Sequence, residues 1–134
     1  MSHLTEQEQT VLDGALASYV AAMNALESDH FLSLFRRNCV VRDPYGMSIY
    51  RGVAELRQYC ETRAATWASF MLTPAATYYG GHERIVFAWA ARATAQNGKT
   101  VTYDGITVLT LEGELIDGLE AYWDAASMFE QIKD

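Results

Sequence analysis

The feature that most constrains the fold is a meander of long β-prone segments in the second half of the chain. These segments begin near Phe70, end near Trp123, and are separated by tight-turn signals at Gly80-Gly81, Asn97-Gly98 and Gly113. Glycine-containing pairs of this kind favour short hairpins, because their backbones accept the positive φ angles that such turns require. We therefore expect long antiparallel strands that follow one another in the sheet.

The first half of the chain has the pattern of helices. From Thr5 to Glu27, apolar residues recur at steps of four and three, which predicts one amphipathic helix with Thr5 and Glu8 in a capping box. We expect a second, short helix from Ser28 to near Asn38 and a third from about Val53 to Trp67, with a last short helix in the segment DAASMFEQI. Helices followed by a strand meander predict an α+β fold.

In such a fold a strongly curved antiparallel sheet wraps around the three N-terminal helices and buries one of its faces. At 134 residues the chain has room for one core, so we expect a single domain over residues 1–134. If the sheet curls, the space between it and the helices becomes a cone that is open at one end. Ligand pockets are usually apolar concavities of this kind, which contain a few polar groups.

Charge and composition exclude several classes of function. Ten Lys and Arg against seventeen Asp and Glu give a net charge of −7, so we expect no nucleic-acid partner. No apolar run is long enough for a membrane span, and the polar N-terminus lacks a signal-peptide pattern, so a cytoplasmic protein is expected. The histidines (His3, His30, His82) are scattered, and Cys39 and Cys60 lack metal-ligand spacing, which predicts buried reduced thiols and no metal or organic cofactor.

Asp43 is the carboxylate with the least ordinary position. It follows the β-prone run Cys39 to Arg42 directly, and strand alternation places it on the same face as Cys39 and Val41, toward an apolar interior. One interpretation is structural, since an aspartate before Pro44 readily accepts hydrogen bonds from the backbone amides of a turn. The other is catalytic: a partly buried carboxylate has a raised pKa and suits a general base.

The order of elements resembles the NTF2-like cone fold, in the SnoaL-like branch that includes polyketide cyclases, and within it the Δ5-3-ketosteroid isomerases. The likeness is strongest in the run from SYVAAMNALESDHFLSLF through VVRDPYGMSIYRG. In ketosteroid isomerases that run carries a tyrosine and, 24 positions later, an aspartate in an Asp-Pro-x-Gly element; Tyr19 and Asp43 have this spacing here. The segment ending in AYW is also similar, with Trp123 at the position of a pocket tryptophan.

This resemblance implies proton transfer next to a carbonyl of a hydrophobic small molecule, with Asp43 as base and Tyr19 as oxyanion donor. Thr107 stands where the isomerases place a second donor, an aspartic acid, and Cys60 stands where some of them have a tyrosine. The implied substrate-binding residues are Phe35, Tyr59, Trp89, Tyr103, Leu119 and Trp123. A homodimer is also implied, paired through the outer face of the sheet at Val86, Ala88, Ala90, Ile106 and Val108.

Other enzymes and binders of this fold offer alternatives. A SnoaL-type polyketide cyclase also removes a proton next to a carbonyl, with Asp43 or Asp124 as the acid/base; Asp124 equally suits the N-cap of the last helix. A non-catalytic small-molecule-binding domain is a further alternative, because fold alone does not decide function. An epoxide hydrolase is not favoured, since its Arg-x-Asp pair aligns with Ala88 and Ala90, and a dehydratase is not favoured for lack of paired pocket histidines.

Overall fold

The computed structural model describes residues 4–133 and contains four helices and six strands in that range. The helices are α1 (Glu6–Ala25), α2 (Ser28–Ser33), α3 (Gly52–Thr66) and α4 (Ala125–Ile132). The strands are β1 (Phe35–Arg42), β2 (Ile49–Arg51), β3 (Trp67–Gly80), β4 (Arg84–Ala95), β5 (Thr100–Glu112) and β6 (Leu115–Trp123). They form one curved sheet in the order β2-β1-β6-β5-β4-β3, and this arrangement confirms the expected α+β class.

The sheet is mixed, where a purely antiparallel one was expected. The meander is antiparallel as predicted, from β3 through β4 and β5 to β6. However, β1 pairs in parallel with β6 and in antiparallel fashion with β2. The reason is the connection: after β1 the chain passes through α3 and the entire meander before β6 arrives beside β1 in the same direction. This pairing brings the ends of β1 and β6 together, which matters for the site.

Helix α1 begins and packs as its sequence predicts. The capping box is present, with the Glu8 amide donating to Thr5 Oγ1 at 3.0 Å and the Thr5 amide donating to Glu8 Oε1 at 2.9 Å. At the other end of α1, Asn24 accepts a hydrogen bond from the Leu72 amide at 2.7 Å, which ties the helix to β3. Fixed at both ends, the helix turns its buried residue Tyr19 toward the sheet.

Two element boundaries in the first half of the chain differ from the prediction. Helix α2 ends at Ser33, not near Asn38, because the Leu34 carbonyl accepts the Ile116 amide at 2.9 Å and Phe35 already pairs with Ile116 in the sheet. Trp67 was expected to end α3 but begins β3, where it pairs with Ala95. Strand β2 was not predicted, since three residues carry too little periodicity to be recognised. Sheet pairing has overridden local helical patterning at both boundaries.

The alternation predicted for β1 is confirmed. Cys39, Val41 and Asp43 are buried, while Val40 and Arg42 are half-buried on the other side. Cys39 and Cys60 are both free and buried, as expected. His3 lies outside the described residues. None of the described helices is both long and apolar enough to span a membrane.

Large apolar side chains fill one end of the space between helices and sheet. This region, hereafter the closed end, consists of Leu12, Phe31, Phe35, Ile85, Phe87, Leu109, Ile116 and Leu119, all of them buried. Phe31 and Phe35 lie with ring centroids 4.9 Å apart, in the range of favourable aromatic pairs. Farther along the same strands lie Trp89, Thr107 and Trp123, which surround a cavity instead. The cavity region is hereafter the open end.

Candidate active site

The open end contains a cavity of about 210 Å³. Its walls are mainly aromatic and aliphatic, contributed by Met23, Tyr50, Trp67, Phe70, Leu72, Trp89, Tyr103, Ala121, Trp123 and Met128. Met47, which is 70% exposed, and Phe129, which is 52% exposed, are also among the lining residues and flank the entrance. An apolar concavity with few polar groups is the usual form of a small-molecule site.

Asp43 contributes a carboxylate to this cavity although it is only 7% exposed. Its Oδ1 accepts a hydrogen bond from Trp123 Nε1 at 2.7 Å, and its Oδ2 accepts one from the Tyr59 hydroxyl at 2.7 Å. The turn is held by the backbone instead, since the Asp43 amide donates to the Ser48 carbonyl at 3.2 Å. The carboxylate therefore does not serve the turn, and both of its donors are neutral.

Burial raises the pKa of Asp43 above its ordinary value, because a desolvated carboxylate is less stable than the neutral acid. The hydrogen bonds from Trp123 and Tyr59 and the positive charge of Arg63 oppose that rise without reversing it. A carboxylate with a raised pKa is a stronger proton acceptor than an exposed one. Held in a fixed direction at the cavity wall, it has the properties of a general base.

The parallel β1–β6 pair explains how Asp43 meets Trp123. Arg42 lies opposite Glu120 in that register, so Asp43 comes beside Ala121, and Trp123, two residues farther along β6, projects from the same face and reaches the carboxylate with its side chain. Tyr59 reaches the same point from α3, whose residues face β1. Three separate elements thus converge on one carboxyl group.

Tyr19 presents its hydroxyl to the same cavity. The side chain is 1% exposed and lines the cavity wall, and its hydroxyl forms no hydrogen bond with any residue among 4–133. Every fully buried polar side-chain atom in that range has a partner, so the Tyr19 hydroxyl must reach the cavity surface. Burial, followed by the nearby charge of Asp43, raises the pKa of Tyr19 well above the ordinary value for tyrosine. It is a neutral donor, and no acceptor among the described residues competes for its proton.

Thr107 also lines the cavity, but its hydroxyl oxygen already accepts one hydrogen bond. Its Oγ1 accepts a hydrogen bond from Trp89 Nε1 at 2.8 Å, and the residue is fully buried. Gly105 makes this contact possible: it lies between Trp89 and Trp123 in the strand register, and a Cβ there would be 2.5 Å from the Trp89 ring. The threonine hydroxyl proton is still available, so Thr107 can donate one hydrogen bond into the cavity.

Tyr59, and not Cys60, faces the cavity from α3. Cys60 occupies the position of an isomerase tyrosine, yet it lies in the core and not in the cavity lining. Tyr59 was predicted to contact substrate, and it does line the cavity, but its hydroxyl donates to Asp43. This role was not predicted, because one sequence cannot show which side of α3 faces β1.

The structure brings most, but not all, of the predicted site residues together. Asp43, Tyr19, Thr107, Tyr59, Trp89, Tyr103 and Trp123 share the cavity. Phe35 and Leu119 do not reach it, because they belong to the closed end, where Phe35 packs on Phe31 and Leu119 lies between Leu109 and Val41 in the sheet register. Asp124 is exposed and caps α4 by accepting the Ser127 amide at 3.0 Å, as its N-cap interpretation predicts.

The positions aligned with an epoxide hydrolase pair also lie elsewhere. Ala88 and Ala90 are on the outer face of β4, so the inward positions of this strand are Phe87, Trp89 and Ala91, none of which is charged. Within residues 4–133, no group of three or more His, Cys, Asp or Glu side chains is placed to hold a metal ion. Asp43 is therefore the only carboxylate that lines the cavity in the described chain.

Arg63 and Gly105 are site residues that the sequence analysis missed. Arg63 lines the cavity from α3, one turn after Tyr59, and its guanidinium is half-buried. Their spacing of four residues on one helix was a usable signal, since residues four apart lie on the same face. Gly105 had a weaker signal, because a glycine inside a strand often marks a close approach by another group.

The sequence model of the SnoaL-like domain family matches residues 16–127. The chain belongs to the SnoaL-like domain family. No curated protein matches it. Among solved structures, a putative polyketide cyclase from Xanthomonas campestris pv. campestris has a TM-score of 0.83 at 14% identity, over 94% of this chain and 99% of that one.

Two further neighbours belong to different enzyme types. The epoxide hydrolase/cyclase-like enzyme SalBIII, described for pyran ring formation in polyether salinomycin, has a TM-score of 0.79 at 24% identity, over 91% of this chain and 96% of its own. A Δ5-3-ketosteroid isomerase from Mycobacterium sp. has a TM-score of 0.78 at 22% identity, over 88% of this SnoaL-like chain and 96% of its own. At such identities these similarities establish the fold, not the reaction.

Proposed function

We propose that this SnoaL-like protein catalyses proton transfer next to a carbonyl group of a hydrophobic small molecule, with Asp43 as the general base. The observation that carries the proposal is the placement of Asp43. Its carboxylate is buried at the wall of an apolar cavity, has a raised pKa, and is held by two neutral donors. A base in this state is suited to remove a proton from carbon.

The proposed reaction needs one further element, a donor for the oxygen that becomes negative. Asp43 takes the proton from the carbon next to the carbonyl, and the C–H electron pair forms an enolate. The Tyr19 hydroxyl, which has no other partner in the described chain, donates to the enolate oxygen, and Thr107 supplies a second, weaker hydrogen bond. Asp43 then returns the proton to the same or another carbon, so that no cofactor is consumed. Donors aimed at such an oxygen typically accelerate reactions about 10²–10³-fold each.

The size of the cavity bears on the substrate. Sites for drug-sized ligands usually measure about 300–1,000 Å³, which is more than the 210 Å³ found here. A compact one- or two-ring ketone therefore suits the cavity better than a four-ring molecule, which would have to protrude between Met47 and Phe129. A cyclase of the SnoaL type would use the same proton abstraction by Asp43, on a substrate that then closes a ring.

The test uses 3-cyclohexen-1-one and a Δ5-3-ketosteroid, both of which become conjugated enones whose absorbance is easily followed. We expect the wild type to accelerate the reaction of 3-cyclohexen-1-one over its uncatalysed rate by a larger factor than it accelerates the reaction of the steroid. In Asp43→Asn that rate should fall about 10²–10⁴-fold, the usual contribution of a positioned base. The matched control is Asp124→Asn, which changes an exposed carboxylate outside this cavity to another good N-cap residue.

The same experiment separates an enzyme from a binder. If Asp43→Asn retains the wild-type rate, Asp43 is not the base. If the folded wild type binds the ketones, accelerates neither, and exchanges none of their α-protons with D₂O, the cavity is a binding site only and the proposal is wrong.

We further propose that the protein is a cytoplasmic homodimer paired through the outer face of the sheet. On that face Ile106, which is 48% exposed, lies opposite Ala88 and Tyr122, and Tyr122 stacks on Tyr45 at 5.0 Å. A contiguous apolar patch on a small protein commonly marks an interface. Sedimentation should give about twice 15.0 kDa for the wild type and 15.0 kDa for Ile106→Glu. Leu115→Glu, at the first residue of β6, should remain a dimer; a monomeric wild type would contradict the proposal.

A further inference from the structure

We propose that the ligand of this cavity is an acidic molecule, whose carboxylate or comparable anion pairs with Arg63 while its carbonyl-flanking carbon faces Asp43. The inference names a substrate class for the site and rests on the function proposed above. It follows from the only cation among the described residues that line the cavity.

Arg63 is held in place by its neighbours. Its Nη2 donates to the Met23 carbonyl at 3.1 Å. Its guanidinium carbon lies 4.5 Å from the centroid of the Phe70 ring and 5.9 Å from that of Tyr59, both within cation–π range. Because these contacts fix the plane of the guanidinium, an incoming anion meets an oriented group and not a mobile side chain.

Within residues 4–133, no carboxylate is in direct contact with the Arg63 guanidinium. It forms no ion pair with any residue among 4–133, although Arg57, six positions earlier on the same helix, pairs with Asp29. Asp43 is near enough for its charge to interact with that of Arg63, but the two groups form no ion pair, and the Asp43 oxygens accept hydrogen bonds from Trp123 and Tyr59. A half-buried cation is costly to leave unpaired, and a ligand anion would remove that cost.

The hydrogen-bonding capacity of Arg63 is also largely unused. A guanidinium has five N–H donors, and that of Arg63 forms one hydrogen bond within residues 4–133. The planar fork of the remaining donors matches a carboxylate, which it can bind through two parallel hydrogen bonds. The positive charge also offsets repulsion between an anionic ligand and an ionised Asp43. Most of the remaining lining is aromatic or aliphatic, so the ligand we infer is a hydrophobic ring system with one acidic group and a carbonyl.

The test compares 2-naphthoate with 2-naphthamide, which differ in charge but hardly in shape. Neither has an exchangeable α-proton, so their binding does not depend on catalysis. Binding is followed by calorimetry and by quenching of tryptophan fluorescence, since Trp89 and Trp123 line the cavity. The wild type should bind the acid about tenfold or more tightly than the amide, the range of hydrogen bonds to charged groups.

Arg63→Gln should abolish this preference while it binds the amide within about twofold of the wild type, which also shows that the variant is folded. Arg63→Lys should keep part of the preference, because the charge remains but the fork is lost. Arg57→Gln, the matched control on the same helix outside the cavity, should behave as the wild type. Loss of affinity for both probes alike in folded Arg63→Gln would assign Arg63 a structural role and overturn the proposal.

Two other outcomes also decide the matter. A wild type that binds the amide as tightly as the acid, or neither probe at millimolar concentration, contradicts the proposal. Asp43→Asn separates this inference from the proposed reaction: it should keep or increase the preference for naphthoate while losing proton transfer. If naphthoate is preferred but Asp43→Asn does not affect turnover, the anion site stands and the role of Asp43 as base falls.

Discussion

The closed and open ends of the cone are built from the same strands, yet they present opposite environments. At the closed end, inward positions carry Phe87, Leu109 and Leu119, which fill the space between sheet and helices. One or two inward positions farther along, β4, β5 and β6 carry Trp89, Thr107 and Trp123, and space remains. The strands alternate inward and outward positions in the same way at both ends, and only the side chains at the inward positions differ.

The two ends also differ in how their side chains affect the stability of the fold. The open end contains a buried carboxylate, two buried tyrosines with raised pKa values and a half-buried arginine. Each of these groups costs free energy to remove from water unless it is partnered. The filled closed end offsets that cost, because burial of large apolar side chains is the main favourable contribution to folding.

The largest effect should come from opening the closed end. Leu119→Ala removes a fully buried side chain from a filled region, so we expect a loss of about 2–5 kcal/mol in the free energy of unfolding. The matched substitution is Leu72→Ala, a leucine that is also buried but lines the cavity. It should cost distinctly less, because fewer neighbours surround it. Urea denaturation of both variants measures the contrast, and equal losses would mean that the open end is as well packed as the closed end.

A smaller effect should come from removing the hydrogen bond that Tyr59 donates to Asp43. Tyr59→Phe leaves Oδ2 of a buried carboxyl without its donor, which should cost about 1–3 kcal/mol. Tyr79→Phe is the control: it removes a hydroxyl that donates to Asp13 at 2.6 Å, but in an exposed position, and should change stability by about 0.5 kcal/mol or less. If the two changes cost the same, the Tyr59 hydrogen bond has no special weight and the carboxyl is already solvated.

The smallest effect is a pH dependence of stability that arises from the raised pKa of Asp43. Its pKa is higher in the folded than in the unfolded state, so its contribution to stability is fully present below the unfolded pKa of about 3.9. That contribution is lost as pH rises through the folded pKa, by about 1.4 kcal/mol for each unit that separates the two values. Asp43→Asn should therefore gain stability relative to the wild type between pH 4 and pH 8. Urea denaturation of both proteins at pH 4 and pH 8 measures this gain. If the stability of Asp43→Asn relative to the wild type falls as the pH rises, the pKa of Asp43 is lowered on folding and not raised.

The sequence predicted the parts of the fold that depend on local patterns. The capping box at Thr5, the stripe of α1 and the Asn97-Gly98 hairpin are all read from neighbouring residues, and all are present. The parallel pairing of β1 with β6 and the early end of α2 depend on contacts between residues about 80 positions apart, such as Phe35 with Ile116. No local pattern carries that information.

The residues of the candidate site also fall into those that the sequence could predict and those that it could not. Asp43 was identifiable because a carboxylate on the apolar face of a strand is unusual. Tyr19 was identifiable because it precedes Asp43 by 24 positions, the spacing of the tyrosine and aspartate in ketosteroid isomerases. Phe35 and Leu119 were assigned to the ligand but lie in the closed end, since an inward-facing residue can line either a core or a cavity. Arg63 was overlooked because an arginine on a helix is ordinarily a surface residue; only its position beside Phe70 and Tyr59 shows otherwise.

The most direct test of the central claim is the pKa of Asp43, measured by carbon-13 NMR of the side-chain carboxyl group during a pH titration. The resonance is assigned by its absence from Asp43→Asn. We expect a midpoint above about 3.9, the ordinary value for aspartate, and a further rise in Tyr59→Phe, because the Tyr59 hydrogen bond stabilises the charged form. A midpoint at or below the ordinary value would show that Asp43 is a stabilised structural carboxylate, and would contradict its role as the base.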